Sequence, residues 1–113
     1  MPFIDVKTNV PVPADKEKSI KSALGQAITA VPGKSEGWLM VGIEPEYRLY
    51  FKGENEPAAM VQVSIYGSAS SSALTTLTSH ITGILTDTLG IASDRIYVAY
   101  SSTPDWGWNG SNF

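Results

Sequence analysis

The second residue of the chain, Pro2, has the chemistry that most invites a functional explanation. Proline lacks a backbone N–H, so within a chain it usually marks a turn or the start of a strand. If Met1 is removed, however, Pro2 carries a free secondary amine, which can act as a base or a nucleophile. Many chains begin Met-Pro without such a role, so the dipeptide alone favours the ordinary explanation.

The other reactive side chains form no recognisable catalytic or metal-binding set. The chain has no cysteine, which excludes disulfides, thiolate metal sites and cysteine nucleophiles. His80 is the only histidine and has no acidic pair near it in the sequence, which favours a structural or solvated role. Glu54 and Glu56 lie in a turn-like GENEP segment, and the serines and threonines of 68–88 lack His and Asp partners. We therefore expect no metal and no cofactor.

The composition is that of an ordinary globular domain: 113 residues, 42% hydrophobic and 17% charged, with a net charge of −3. A chain of this length is expected to fold as a single domain, 1–113. Its eight basic residues are scattered, so neither a nucleic acid nor an anionic membrane is a predicted partner. The first residues do not resemble a signal peptide and no stretch is long enough to span a bilayer, which predicts a cytoplasmic protein.

The elements that would position Pro2 occur in two similar halves, each in the order strand, helix, strand. In the first half, strands are predicted from Phe3 to Thr8 and from Trp38 to Glu44, with a helix from about Asp15 to Val31 between them. Pro32-Gly33 is expected to end this helix. The apolar face of the helix comprises Ile20, Ala23, Leu24, Ala27, Ile28 and Val31.

The second half repeats this order. AMVQVSIY, at 59–66, alternates between apolar and polar residues and predicts a strand. The serines of SASSS can cap the following helix, which is predicted to end at Gly90. RIYVAY, at 95–100, predicts the last main strand. Between the halves, YRLYFK alternates and predicts a short extra strand. At the end of the chain, GWNG predicts a hairpin with an Asn-Gly turn, which also explains the glycosylation-like Asn109-Gly110-Ser111.

Two β-α-β units predict an α+β fold, a four-stranded mixed sheet with both helices on one face. Val61, Val63 and Ile65 would face the helices. An uncovered opposite face of mixed character favours self-association, most commonly in a closed ring, although the pattern does not give its size. The residues predicted on that face are Met60, Gln62, Ser64, Tyr66, Tyr97 and Ala99.

Six short motifs, in the same order and at nearly the same spacing, resemble the macrophage migration inhibitory factor family of the tautomerase superfamily. They are MPFI, TNVP, GK at 33–34, NEP at 55–57, DRIY at 94–97 and the ending GWNGSNF. One such motif would be uninformative, whereas six over the whole chain are specific. The resemblance implies a homotrimer of the pseudo-duplicated tautomerase fold, with an active site at each subunit interface around the amine of Pro2.

The resemblance also implies an activity, cofactor-independent keto–enol tautomerisation of phenylpyruvate-like aromatic 2-keto acids, and in some relatives of D-dopachrome derivatives. Pro2 would be the catalytic base and acid after Met1 is removed. Lys34 would keep that amine neutral and attract the substrate carboxylate; alone, it would be explained as a solvated lysine after a helix. The alternative function is a cytokine-like trimer with a vestigial pocket, acting on a receptor if exported without a signal peptide.

Further substrate-binding positions follow from the same resemblance. Tyr97 would reach a neighbouring subunit's site and hydrogen-bond a substrate oxygen. A backbone N–H at the end of the long alternating strand falls on Tyr66 or, because SIYG is one residue longer than the family's SIG, on Ile65. The aromatic wall for the substrate ring would comprise Phe3, Trp38, Trp106 and Phe113. These aromatics could equally be ordinary packing, the explanation preferred for Trp108 in its hairpin.

Three departures from the family pattern bear on the substrate. Ala99 stands where many members have a substrate-contacting asparagine, so one hydrogen bond should be missing. Trp106 replaces a smaller apolar residue and is expected to reshape the pocket mouth. The Cys-x-x-Cys element of some animal members is absent, with AAMV at 58–61, which excludes a thiol oxidoreductase activity.

Overall fold

A computed structural model describes all 113 residues, and its centre is a four-stranded mixed sheet of order β2-β1-β3-β4. The strands are β1 (Pro2–Thr8), β2 (Met40–Glu44), β3 (Ala59–Tyr66) and β4 (Ile96–Thr103). β1 and β3 pair antiparallel in the middle, while β2 and β4 pair parallel to them at the two edges. Each parallel pair is one β-α-β half, so the predicted duplication and the α+β fold class are confirmed.

Helices α1 (Ala14–Ala27) and α2 (Ser71–Leu89) pack together and cover one face of the sheet. The N-terminus of α2 is capped by Ser70, whose Oγ accepts a hydrogen bond from the Ala73 N–H at 3.1 Å. Its C-terminus is capped by Gly90, which has φ of +71°. α1 ends four residues before the predicted Val31 and continues as the 3-10 turn Ile28–Ala30. The predicted apolar face is still buried, because this tighter turn keeps Ile28 and Val31 in the core.

The face of the sheet away from the helices is uncovered in the single chain. Met60, Gln62 and Ser64 lie on it, since the burial of β3 alternates strictly along the strand. Met40 and Tyr97, on the two edge strands, are 68% and 60% exposed. This confirms the two-faced sheet predicted from the sequence.

The prediction of a strand at YRLYFK, residues 47–52, is wrong. In segment 47–52 only Phe51 forms a bridge, to Glu54. Hydrogen bonds from two side chains replace a strand partner: Asn9 donates to the carbonyls of residues 49, 55 and 56, and Arg95 donates to those of residues 51, 54, 56 and 57. Alternation alone therefore did not identify a strand here.

Two smaller elements complete the chain. Trp38, predicted to start a strand, lies instead in a 3-10 turn, Glu36–Trp38, before β2. The C-terminal hairpin is confirmed: β5 (Gly107–Trp108) pairs antiparallel with β6 (Ser111–Asn112), and both turn residues, Asn109 and Gly110, have positive φ.

Neither long helix is apolar enough over its length to cross a bilayer.

Candidate active site

Lys34 is placed by a tight turn rather than directly by the end of α1. Its backbone N–H donates to the Val31 carbonyl at 3.1 Å, which closes a four-residue turn with Pro32 and Gly33 at its centre. Gly33 has φ of +81°, so this is the Pro-Gly arrangement of a type II turn. The turn brings the half-buried Lys34 side chain back to the sheet at the beginning of β1.

Pro2, the backbone of Tyr66 and the ammonium of Lys34 lie together where β1 begins and β3 ends. Pro2 is buried and is paired with Ile65 across the antiparallel ladder. The Tyr66 N–H donates to the Met1 carbonyl oxygen at 3.1 Å, and Lys34 Nζ donates to the Tyr66 carbonyl oxygen at 2.8 Å. One ammonium and one backbone N–H therefore lie next to the first residues of the chain.

The electrostatics of this position favour a neutral amine. Burial, and then the ammonium of Lys34, lower the pKa of the Met1 α-amino group below its usual value. Partial removal from water and the neighbouring positive charge of Lys34 both disfavour protonation of the amine, because protonation would place a second cation there. An amine here is therefore a stronger candidate for a base near neutral pH than an exposed α-amine.

Aromatic rings form a cluster beside these polar groups. Trp38 and Trp108 meet edge to face with centroids 5.4 Å apart, and Phe113 lies 6.4 Å from Trp108 and 5.2 Å from Tyr66. The ammonium of Lys34 is 5.9 Å from the centroid of the Tyr66 ring. A planar ligand with an anionic end would find both apolar ring surfaces and a cation here.

Two cavities of about 360 Å³ each adjoin at Met1 and Trp38, which line both. The cavity that contains Lys34 also includes Gly33, Tyr66 and Phe113. The apolar one includes Pro2, Phe3, Met40, Trp106 and Trp108. Because Met1 and Trp38 are shared, the ammonium of Lys34 and the aromatic rings lie in one crevice.

A larger depression lies between the two helices, on the other side of the sheet. Its volume is about 640 Å³, and His80 and Asp87 are among its lining residues. It is open and contains neither an amine nor an unpaired buried donor, so size alone is not a reason to place the chemistry there.

Most of the predicted site residues meet in the crevice. The residues are Pro2, Phe3, Lys34, Trp38, Tyr66, Trp106 and Phe113. Ile65 does not contribute its side chain, which faces the core and is 1% exposed, whereas the Tyr66 N–H points at Met1. Trp108 lines the apolar cavity as well as forming the hairpin. No sequence signal indicates its contact with Trp38, which is 70 residues away.

Tyr97 lies away from this crevice in its own chain. It pairs with Met60, near the opposite end of β3 from the Ile65 that faces Pro2. At about 3.4 Å per strand residue the separation along β3 is roughly 17 Å. Its ring instead packs against Phe51, with centroids 4.9 Å apart.

Comparisons with known proteins match the whole chain. The profile of the macrophage migration inhibitory factor (MIF) family matches residues 1–113. The macrophage migration inhibitory factors of Meriones unguiculatus and Mus musculus are 32% and 31% identical over 115 residues, covering 100% of this chain and 99% of theirs. The structure is similar to Leishmania major MIF2, with a TM-score of 0.93, 34% identity and coverage of 100% and 97%. It is also similar to a homologue from Prochlorococcus marinus, with a TM-score of 0.89, 29% identity and coverage of 98% of both chains.

Proposed function

We propose, because the chain belongs to the macrophage migration inhibitory factor family, that it is a cofactor-independent keto–enol tautomerase of phenylpyruvate-like aromatic 2-keto acids. That family is part of the tautomerase superfamily. The convergence of Lys34 and the Tyr66 backbone on the first residues of β1, inside an aromatic-lined crevice, supports this most directly.

Pro2 is the proposed base. While Met1 is attached, the nitrogen of Pro2 belongs to an amide and has no usable lone pair. Removal of Met1 converts it into a secondary amine and frees the Tyr66 N–H that donates to the Met1 carbonyl. Burial and the charge of Lys34 lower the pKa of the Met1 amine, and both causes would act in the same direction on an amine one residue further along β1.

The substrate binds with its carboxylate at Lys34 and its ring in the apolar cavity beside Trp38 and Trp108. The Pro2 nitrogen takes a proton from the carbon next to the carbonyl. The electrons of that C–H bond form the C=C bond, and the carbonyl π electrons move to oxygen. The resulting oxyanion accepts hydrogen bonds from the site and then a proton from the Pro2 ammonium, which regenerates the base.

A homotrimer completes the proposed site. The uncovered sheet face is the surface available for association, and Tyr97 lies on it with 60% exposure. Because Tyr97 is distant from Pro2 of its own chain, its hydroxyl would serve the crevice of a neighbouring subunit. D-dopachrome-type substrates share the planar ring and carboxylate that this crevice is proposed to bind.

Mass spectrometry of the purified protein, paired with an absorbance assay of phenylpyruvate enol, tests this proposal. Chains that begin at Pro2 should turn over, whereas a variant with alanine inserted between Met1 and Pro2 should be at least about 100-fold slower. Pro2→Gly, which keeps a terminal amine but loses the ring, should lose most activity without altering the oligomer. A processed chain with no turnover would falsify the proposed activity.

Ala99 supports a second candidate, a cytokine-like binding trimer. It is exposed on the sheet face between Tyr97 and Ser101, and its methyl group offers no hydrogen bond to a substrate. Processed chains that form the oligomer but turn over neither phenylpyruvate nor a D-dopachrome ester would favour this candidate.

A further inference from the structure

Phe51 lies against both Arg95 and Tyr97, at the end of the sheet away from Pro2. The guanidinium carbon of Arg95 is 5.2 Å from the centroid of the Phe51 ring. The same ring meets Tyr97 edge to face, with centroids 4.9 Å apart and ring planes at 69°. Arg95 and Tyr97, two residues apart in the chain, are therefore linked by one aromatic ring from a distant segment.

Arg95 is held by main-chain oxygens rather than by a carboxylate. Its Nε donates to the Pro57 carbonyl at 2.8 Å, and its Nη1 donates to the carbonyl of Phe51 itself at 3.4 Å. Its Nη2 donates to the carbonyls of Glu54 and Glu56, at 3.3 and 3.0 Å. These bonds fix the guanidinium and, through it, both the backbone and the ring of Phe51.

Within its own chain, little besides Phe51 restricts the Tyr97 side chain. It projects from an edge strand onto the face proposed to meet a neighbouring subunit, and its own chain leaves 60% of it exposed. Hydrogen bonding to a substrate requires the hydroxyl at a defined distance and angle. Phe51 is the aromatic ring that limits the positions open to Tyr97 in this chain.

We infer that Phe51 is a positioning residue, which holds the Tyr97 hydroxyl for its hydrogen bond to the substrate in a neighbouring subunit's crevice. Arg95 acts one step further away by fixing Phe51. This inference rests on the proposed function, since it takes Tyr97 as a substrate-binding residue. Phe51 would not contact the substrate itself, but it would determine the geometry of the hydrogen bond between Tyr97 and the substrate.

A double-mutant cycle on the processed full-length protein tests the inference. An edge-to-face pair contributes about 0.5–1.5 kcal/mol, so Phe51→Leu should lower kcat/KM for phenylpyruvate by about 3- to 10-fold. In a Tyr97→Phe background the same change should cost less than about twofold, because no hydroxyl remains to position. Phe51→Tyr, which keeps the ring, should restore the activity.

Tyr50→Leu is the matched control, because Tyr50 is the exposed aromatic residue immediately before Phe51 and makes none of these ring contacts. It should leave kcat/KM unchanged. An equal loss in Tyr50→Leu, or a Phe51→Leu effect that persists undiminished without the Tyr97 hydroxyl, would overturn the inference. If Phe51→Leu does not assemble, Phe51→Met replaces it in the cycle.

Fluorine NMR of protein labelled with 3-fluorotyrosine gives a measurement independent of turnover. The Tyr97 signal, identified by its absence from Tyr97→Phe, should shift in Phe51→Leu and stay in place in Tyr50→Leu. An unmoved signal in Phe51→Leu would overturn the inference even if the enzyme is active. A processed wild-type protein without turnover would instead refute the proposed function, whatever the Tyr97 signal does.

Discussion

The two halves of the molecule have the same strand-helix-strand order but opposite chemistry at matching positions. In the first half, the residue after the positive-φ glycine is Lys34, half-buried and bonded to the Tyr66 carbonyl. In the second half that residue is Ile91, which is fully buried in the core. Corresponding connections in the two halves therefore deliver a cation to a crevice in one case, after a 3-10 segment and a tight turn, and an apolar side chain to the core in the other, directly after the helix.

The starts of the two central strands differ in the same way. β1 begins at Pro2, next to a chain end whose amine has a lowered pKa. β3 begins after Ala58, which is buried and bonded through its N–H to the Asn9 side chain and through its carbonyl to Thr8. A chain end occurs only once in the duplicated pattern, which is why only one half can supply a terminal amine.

Ile91→Ala should have the largest effect on folding. Truncating a fully buried isoleucine costs about 2–5 kcal/mol through lost burial and the cavity left behind, so the free energy of unfolding should fall by that amount. Urea denaturation measures it. Lys34→Ala is the counterpart from the other half, and it should cost only about 1 kcal/mol because it removes one hydrogen bond of a half-buried side chain. A loss as large as that of Ile91→Ala would show that Lys34 also has a major structural role.

Lys34→Ala should instead have the largest effect on turnover among these variants. Hydrogen bonds to charged groups contribute about 1.5–3 kcal/mol, so kcat/KM for phenylpyruvate should fall by about 10- to 100-fold. Steady-state kinetics measure this, with Lys16→Ala, an exposed lysine of α1, as the control. Equal rates for the two variants would remove Lys34 from the proposed site.

The two glycines provide a smaller and sharper comparison. Both have positive φ, 81° at Gly33 and 71° at Gly90, and neither has an atom within 4 Å of where a Cβ would lie. Alanine at either position should therefore cost about 1 kcal/mol of unfolding free energy by conformational strain alone. Only Gly33→Ala should also lower kcat/KM, because it moves Lys34; an equal kinetic loss in Gly90→Ala would contradict this division.

The smallest expected effect is a displacement of the pH profile. An amine whose pKa is lowered becomes a free base at lower pH, so kcat/KM should rise through that lowered pKa as the pH increases. For the Met1 α-amino group, burial is the larger cause of the lowered pKa and the charge of Lys34 the next, and the same two causes are proposed to act on Pro2. Removing the charge should therefore move the acidic limb of the profile to higher pH in Lys34→Ala, and an unmoved limb would mean that Lys34 does not act on the base.

The central elements could be predicted from the sequence because their patterns are local. β3 was predicted at its observed bounds, since its residues alternate strictly between core and surface. The end of α2 was predicted from Gly90, which has the left-handed conformation that glycine permits. In both places the residue types and the backbone agree without help from distant parts of the chain.

The incorrect strand prediction, and the site features that the sequence could not decide, depended on distant contacts. YRLYFK alternates like a strand, but the carbonyls of Leu49 and Phe51 accept side-chain hydrogen bonds from Asn9 and Arg95, which lie 40 and 44 residues away along the chain. Trp108 joins Trp38 in the crevice through a hairpin whose docking leaves no sequence signal. The choice between Ile65 and Tyr66 likewise required the register of β1 on β3, which a single strand pattern does not determine.

Asn9 and Arg95 bond this segment through main-chain atoms, which every amino acid possesses. Side chains that are exposed and make no hydrogen bond of their own, such as those of Glu54 and Glu56, can therefore be exchanged while the path of the backbone persists. Phe51 is the exception, because its ring is what Tyr97 touches. Gly53 is a second exception, because its φ of +74° lies in the region that glycine adopts most readily, so sequence divergence in this loop is confined to the exposed positions 54–56.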